Sequence, residues 1–186
     1  NYRNVIATIE GSSEKHLLLL THYDTKAGIA IDFTGANDGG SSTALLLRLA
    51  EWFAGHIEKN SPTITFAFLD GEECREEYGP SDGLCGSRRL AAMMKSSHTR
   101  LDAVILLDMV GDADLTLTIP ANVDRRLMAQ LMQSASRLGL EDCVTRHSAD
   151  MLDDHQPFLE LGYPAIDIID FEYGTAPGIL KVNYVY

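Results

Sequence analysis

Short, nearly continuous apolar runs separated by longer mixed segments constrain the fold of this chain more than any other feature. The clearest runs are HLLLLTH (16–22), TITFAFL (63–69), LDAVILL (101–107) and PAIDIID (164–170). Successive side chains of a strand point to opposite faces of the sheet. A run in which nearly every residue is apolar is therefore typical of a strand covered on both faces. The segments between the runs, such as 40–58, carry the i, i+3, i+4 apolar spacing of a helix. Strands that alternate with helices predict an α/β fold, a three-layer α/β/α sandwich with a mixed, largely parallel central sheet.

Local signals assign the remaining segments. VIATIEG (5–11) is predicted to be a strand that neighbours 16–22 and is joined to it by a polar turn. A further helix is expected to begin with Asn122 as its N-cap and to end at Gly139. No repeat, low-complexity segment or linker divides the chain, so we expect residues 1–186 to form a single domain.

Charge and cysteine content limit the partners. The formal net charge is −12 at pH 7, which argues against nucleic acid because phosphate binding requires a basic face. No run of about eighteen apolar residues is present, so we expect no membrane span. Cys74, Cys85 and Cys143 lack the CxxC spacing of a metal site. A disulfide between Cys74 and Cys85 and three free thiols are both consistent with the sequence.

Acidic residues and a histidine stand where the predicted strands end. They are His22 and Asp24 after the first run, Asp70, Glu72 and Glu73 after the second, and Asp108 after the third. In an open α/β sheet, ligands bind outside the carboxyl ends of the strands. We therefore expect these side chains to meet at one edge of the sheet.

Asp38, in GANDGGSS, precedes the helix predicted from residue 40. A lone Asp in this position is ordinarily a helix cap, but the other acids at the same edge favour a metal ligand. One histidine with several carboxylates suits Zn²⁺, which takes nitrogen and oxygen ligands and keeps one position open in catalytic sites.

Glu72 and Glu73 are adjacent carboxylates whose repulsion and partial burial cost free energy. If their loop is not helical, one can bind metal while the other stays free as general base and acid. The alternative, a solvated acidic loop, fits the following CREEY better than it fits DGEE. For Asp154, in LDDHQPF, a helix cap and a site residue are equally consistent. The sequence contains no GxSxG nucleophile motif, and no GK[ST] follows the GANDGG loop.

Six segments in order resemble the zinc aminopeptidase and glutaminyl cyclase family, which has the co-catalytic metallopeptidase fold. They are THYDTK, GANDGGSS, FLDGEE, DGLCGSRRLA, LLDMVG and DDHQPFLELGYPAI. The resemblance spans about residues 5–170 and is closest to the glutaminyl-peptide cyclotransferase-like branch. It implies a zinc-exopeptidase-like catalytic domain over 1–186 that lacks its full N- and C-terminal portions. It also implies peptide or protein N-termini as substrates and an exported, periplasmic or lumenal location.

For the cyclase branch, the resemblance implies one zinc ion held by Asp38 and Glu73. Glu72 is then the residue that transfers the proton. Asp108 and Asp154 belong to an acidic hydrogen-bond network beside the reacting amine and amide. The implied reaction is the cyclisation of an N-terminal glutamine with release of ammonia.

For the aminopeptidase branch, the resemblance implies two zinc ions. His22 and Asp108 hold the second ion, Asp38 bridges the two, and Asp24 orients His22. Glu72 then deprotonates the water that attacks the first peptide bond. An inactive binding scaffold of the same fold is the third alternative.

The chain departs from the family pattern at two points. The family has a further histidine ligand, in a Trp-His-Thr setting, soon after the strand at 164–170, but no histidine follows His155 here. His22 is the expected substitute ligand. Tyr78 stands where the cyclase branch tends to carry tryptophan, which leaves the shape of the substrate pocket open.

Overall fold

The computed structural model describes residues 2–171. Seven strands and four helices alternate along this part of the chain. Their order is β1 (Val5–Ile9), β2 (His16–His22), α1 (Gly40–Ala54), β3 (Thr63–Leu69), α2 (Cys85–Ser96), β4 (Ala103–Asp108), β5 (Leu117–Ile119), α3 (Arg125–Leu138), β6 (Val144–Arg146), α4 (Gln156–Glu160) and β7 (Ala165–Ile169). A short 3-10 helix at Glu141–Cys143 precedes β6.

The strands form one mixed sheet in the order β1-β3-β2-β4-β7-β5-β6. The pairs β2–β3, β2–β4, β4–β7 and β5–β6 are parallel, and β1–β3 and β5–β7 are antiparallel. The four long apolar runs occupy neighbouring central positions, as their two-sided burial predicts. The mixed, largely parallel sheet expected from the sequence is confirmed.

Helices cover both faces of the sheet. On one face, α2 and α4 pack against β2, β4 and β7 through Leu90, Phe158, Leu20, Leu106 and Ala165. On the other face, α1 packs over β3 and α3 over the β5–β7 half of the sheet. This is the predicted three-layer α/β/α arrangement. Among the described residues, no helix is both long and apolar enough to cross a membrane.

The predicted neighbour of β1 is wrong. β1 pairs with β3 and not with β2, in a register that places Val5 opposite Phe68 and Ile9 opposite Ile64. Both edges of β2 are already occupied by β3 and β4, so the free edge for β1 is that of β3. The polar turn after β1 therefore passes the end of β3 and leads into β2.

The predicted cap of α3 is also wrong. Asp124 is the N-cap, and its side chain accepts a hydrogen bond from the Leu127 N–H at 2.9 Å. Asn122 instead bonds to the backbone of Met151, before α4, and to the side chain of Gln156, the first residue of α4. The predicted end at Gly139 is confirmed, with the left-handed conformation that glycine favours.

The cysteines are free thiols. Of the two alternatives that the sequence allowed, the structure therefore has unpaired Cys74 and Cys85. Cys74 is buried, and its sulfur lies 2.9 Å from the Lys26 ammonium.

Gly86 allows α2 to approach the end of β3 closely. A Cβ atom at Gly86 would lie 2.7 Å from the backbone oxygen of Asp70 and 2.6 Å from Oδ1 of Asn4. We expect Gly86→Ala to lower the free energy of unfolding by about 1–3 kcal/mol, because backbone must move to admit the methyl group. Urea denaturation followed by circular dichroism measures this change.

Gly55→Ala is the matched control. Its Cβ would meet nothing nearer than the Trp52 backbone oxygen at 3.7 Å, so its effect should stay within about 0.5 kcal/mol. Equal losses in the two variants would show that the close approach of α2 is not what matters.

Candidate active site

Three side chains converge at the carboxyl edge of the sheet. Nε2 of His22 lies 3.1 Å from Oδ1 of Asp38 and 3.2 Å from Oδ1 of Asp108. His22 ends β2, Asp108 ends β4, and Asp38 lies in the loop before α1. Their ligand atoms lie within 4.8 Å of one another. Within residues 2–171, no other group of three acidic, histidine or cysteine ligand atoms converges in this way.

Asp24 orients the ring of His22. Nδ1 of His22 lies 3.1 Å from the backbone oxygen of Asp24, and Nε2 consequently faces Asp38 and Asp108. Burial alone lowers the pKa of an imidazole. Here the hydrogen bonds with Asp108, Asp24 and Asp38 outweigh burial and hold the pKa of His22 well above its ordinary value.

Asp38 does not cap α1. The N-cap of that helix is Gly39, which makes no side-chain cap bond. Gly39 has φ 78°, and a Cβ there would lie 2.8 Å from the Asp24 backbone oxygen and 3.1 Å from Cε1 of His22. Glycine at this position therefore lets the loop pack against His22 and brings the Asp38 carboxylate to Nε2.

The backbone of the Glu72–Glu73 pair is held by a single carboxylate. Oδ1 of Asp24 accepts the N–H of Glu72, and Oδ2 accepts the N–H of Glu73, each at 3.1 Å. Gly71 has φ 78° and provides the turn after β3. The segment 71–84 is not helical, so the two glutamate side chains can point in different directions.

Asp82 stabilises the outer part of the same loop. Its carboxylate accepts the backbone N–H groups of Arg75 at 2.8 Å and Glu76 at 2.9 Å. These bonds hold the pKa of Asp82 below its ordinary value. The acidic CREEY segment is therefore folded around one aspartate, and its Tyr78 lines the cavity beside Glu73.

Glu72 points into the protein. It is 7% exposed, and the Tyr78 hydroxyl donates a hydrogen bond to its Oε1 at 2.9 Å. Burial, followed by the nearby charge of Asp154, raises the pKa of Glu72 to about 9. In the absence of metal, the carboxyl is therefore protonated at neutral pH.

Glu73 faces a cavity instead. Burial and the charge of Asp38 raise the pKa of Glu73 to about 7, although Lys26 lies 3.5 Å from Oε2. The cavity has a volume of about 410 Å³. Its lining residues are Lys26, Ile29, Phe33, Asp38, Glu73, Tyr78 and Met109. Apolar and aromatic groups beside two carboxylates and one ammonium are suited to a small polar ligand with an apolar portion.

Three further carboxyl groups lie buried next to this site: Asp153 is 6% exposed, and Asp154 and Asp167 are fully buried. Burial raises the pKa of Asp154 to about 7 and raises those of Asp153 and Asp167 well above the ordinary value. Asp154 does not cap α4, because neither of its oxygens has a hydrogen-bond partner of normal geometry among the described residues. The cap interpretation that the sequence left open is therefore wrong.

Sequence reasoning missed Asp153 and Asp167. Asp167 is the one charged residue between Pro164 and Ile169 in the last apolar run. A charge at a position predicted to be buried was the signal that could have identified it. Asp153 had no comparable signal, since an exposed turn also accommodates two adjacent aspartates.

The converging donors fit a zinc ion. One imidazole nitrogen and two carboxylate oxygens, from His22, Asp38 and Asp108, are ligand types and numbers found in catalytic zinc sites. Glu73 borders the same cavity as Asp38 but lies outside this group and is paired with Lys26. The predicted Asp38–Glu73 ligand pair therefore stays a prediction. The position expected for a further histidine falls at residues 172–186, outside the described residues.

Comparison with known proteins identifies relatives over almost all of the chain. A model of peptidase family M28 matches residues 4–177. A glutaminyl-peptide cyclotransferase-like protein of Bos taurus is 32% identical over 196 residues, which cover 91% of this chain and 51% of that protein. The chain spans about half the length of the curated relatives that it matches.

Solved structures give the same grouping. A glutaminyl cyclase from an Acidobacteriales bacterium superposes with a TM-score of 0.88 and 38% identity, covering 94% of this chain and 60% of that one. A Zn-dependent exopeptidase from Parabacteroides distasonis superposes with a TM-score of 0.75 and 26% identity. The match covers 95% of this chain and 66% of the exopeptidase. Both share the three-layer fold described above.

The buried carboxyl groups make the stability of the metal-free protein depend on pH. In the folded chain the pKa of Asp154 is about 7 and that of Glu72 about 9, whereas unfolded carboxyls lose their protons near pH 4. Between these values the folded chain binds more protons than the unfolded chain, so a rise in pH favours unfolding. We expect the Tm of the metal-free protein, measured in the presence of a chelator, to fall by about 5 °C or more between pH 5.5 and pH 9.

Scanning calorimetry with and without zinc measures this dependence. His155 acts in the opposite direction, because burial lowers its pKa to about 4. Its contribution is complete above about pH 6.5 and is lost as pH falls toward 4. Zinc should reduce the decline at high pH, since its charge offsets the ionised carboxylates. A metal-free Tm that stays constant or rises up to pH 9 would contradict the buried acid cluster.

Proposed function

Because the chain belongs to peptidase family M28, we propose that it forms the core of a zinc-dependent enzyme acting on the N-terminal residue of peptides. Its reaction is the cyclisation of an N-terminal glutamine with release of ammonia. The observation that carries this choice is the likeness to a solved glutaminyl cyclase, which exceeds the likeness to the exopeptidase in both identity and superposition.

The zinc ion would be held by Asp38 and Glu73, with His22 as the substitute nitrogen ligand and Asp108 left free. His22 already contacts Asp38, and Glu73 lies on the wall of the cavity that Asp38 also lines. When bound, zinc supplies positive charge that polarises the side-chain amide of the substrate. The protein supplies the orientation of the substrate and the path of the proton.

Glu72 carries the proton. The Tyr78 hydroxyl occupies Oε1 and leaves Oε2 for the substrate. As the α-amine nitrogen bonds to the amide carbon, Glu72 takes a proton from that nitrogen; it returns a proton to the departing nitrogen as the old C–N bond breaks and ammonia leaves. A nearby cation lowers the pKa of Glu72 from its metal-free value, so that the carboxylate can act as a base.

The surrounding acids would hold the peptide N-terminus. Asp38 and Glu73 line the cavity, and Asp108 and Asp154 lie deeper, within reach of the charge on Glu72 or His22. This negative environment favours an amine and disfavours an acidic end group. It supports substrates that present a free amino terminus.

A second candidate is aminopeptidase hydrolysis with two zinc ions. The contact of His22 with both Asp38 and Asp108 favours it, since the aminopeptidase resemblance assigns these three residues to the second ion. Glu72 would then take a proton from the attacking water and deliver it to the departing amine. The zinc count separates the candidates: one ion supports cyclisation and two support hydrolysis.

The other expectations are part of the same proposal. Residues 1–186 form one catalytic domain, and the protein is exported, periplasmic or lumenal, in line with the family resemblance. An inactive scaffold is the least supported alternative, because Asp38, Glu72, Glu73 and Asp108 are all present.

Mass spectrometry of a glutamine-initiated peptide incubated with zinc-loaded protein tests the reaction. We expect the loss of one ammonia per peptide. The rate with Glu72→Gln should be lower by about a thousandfold, because the residue that carries the proton is gone. The zinc content of Glu72→Gln should equal that of the wild type.

The alternatives give different products. Loss of the whole first residue would identify an aminopeptidase. An unchanged peptide with normally loaded zinc would favour the scaffold. Loss of zinc from Glu72→Gln would mean that Glu72, and not Glu73, is the ligand.

Asp38→Ala tests the metal site. Asp38 touches Nε2 of His22 and is a ligand in both candidate functions, so we expect zinc and activity to fall together. Asp102→Ala, at the opposite end of β4, is the control and should keep its zinc. Metal analysis after gel filtration measures both, and an unchanged zinc content in Asp38→Ala would place the ion elsewhere.

A further inference from the structure

Asp167 occupies an apolar row inside the sheet. In the register of the central strands it lies opposite Leu106 of β4, which lies opposite Leu20 of β2. Asp167 shares with Ala165 the face of β7 that packs against α2 and α4. Its side chain is 0% exposed. A carboxyl group at this position loses its hydration completely on folding.

The protein does little to compensate that loss. Neither oxygen of Asp167 has a hydrogen-bond partner of normal geometry among the described residues. Nδ1 of His155, which is itself fully buried, lies 3.7 Å from Oδ2 of Asp167. A buried carboxyl with so weak a partner costs free energy, and an apolar residue of similar size would be more stable there.

The pair adjoins the turn that carries two acids of the site. His155 follows directly after Asp153 and Asp154 and precedes α4. The charge of Asp167 acts on Asp153, and Asp167 in turn is affected by the charges of Asp108 and Asp154. Asp167 is thus electrostatically coupled to the buried side of the site.

Asn122 fixes the two ends of the same turn. Its amide bonds to the backbone of Met151 on one side and to the side chain of Gln156 on the other, at 2.7–2.9 Å. Within the turn, the Gln156 N–H also donates to the backbone oxygen of Asp153 at 2.9 Å. The approach of His155 to Asp167, 3.7 Å between Nδ1 and Oδ2, joins the middle of the turn to β7.

We propose that Asp167 and His155 form a buried positioning pair, which aims the Asp153–Asp154 turn at Glu72 and Asp108 and is retained at a cost in stability. The inference rests on the proposed function for its kinetic consequence only. The pair itself and its cost in stability are properties of the fold.

Asp167→Val and Asp167→Asn separate the two roles. Valine suits a strand and removes the contact with His155, so we expect Tm to rise by roughly 2 °C or more. With its turn less well aimed, the valine variant should show a kcat roughly tenfold to a hundredfold lower at little changed KM. Asparagine keeps the shape and a donor for Nδ1 of His155, so its kcat should stay within about threefold of wild type.

Ile166→Val is the matched control. Ile166 neighbours Asp167 in β7, is buried, and packs in the opposite core with α3. Its truncation should lower Tm and leave kcat unchanged, which is the reverse of the result expected for Asp167→Val. If Asp167 had only a structural role, Asp167→Val would change Tm and leave kcat unchanged, as the control does.

Each outcome decides the inference. A fall in Tm with Asp167→Val would overturn the cost in stability, and a higher Tm with unchanged kcat would overturn the positioning role. If the wild type is inactive on every peptide, the proposed function fails. The pair is then judged from the Tm values of Asp167→Val, His155→Gln and the double variant, where additive shifts would overturn the pairing.

Discussion

The carboxylate of Asp24 is the contact on which the geometry of the site depends. Each of its oxygens accepts the N–H of one residue of the Glu72–Glu73 pair, while its backbone oxygen orients His22. Burial alone would raise the pKa of Asp24, but the bonds from His22 and the two amides hold it below its ordinary value. Asp24 therefore stays an anion that only accepts hydrogen bonds, and one residue couples the end of β2 to the loop after β3.

The acids at this edge are tolerable because the rest of the sheet is apolar on both faces and supplies the packing. Without metal, the chain lowers the repulsion between its acids by keeping a proton on His22 and another on Glu72. His22 lies between Asp38 and Asp108. A metal ion at Nε2 would displace the His22 proton and place a larger charge between the same oxygens. In both the protonated and the metal-bound site, positive charge between the carboxylates offsets their repulsion.

The sequence predicts the sheet and most of this edge, because apolar runs mark buried strands and the residues after them mark one edge. His22, Asp38 and Asp108 could be placed together on that basis. The partner of β1 could not, because it depends on which strand edge is left free. The sequence predicts Asn122 as a cap because capping residues bond locally, whereas the bonds of Asn122 reach residues 151 and 156. Asp167 is recognisable in the sequence as a charge inside an apolar run, but the partners in its row follow only from the register of the sheet.

Asp108 is the residue at which the two candidate reactions exclude each other. Its Oδ1 accepts the N–H of Met109 and contacts His22, and its charge acts on the buried Asp153 and Asp167. A carboxylate that binds a second metal ion gives up its charge to that ion and can no longer hold the substrate amine. If Asp108 stays free, it completes the acidic wall beside Glu72. Whether Asp108 binds a metal ion therefore determines both the zinc count and the reaction.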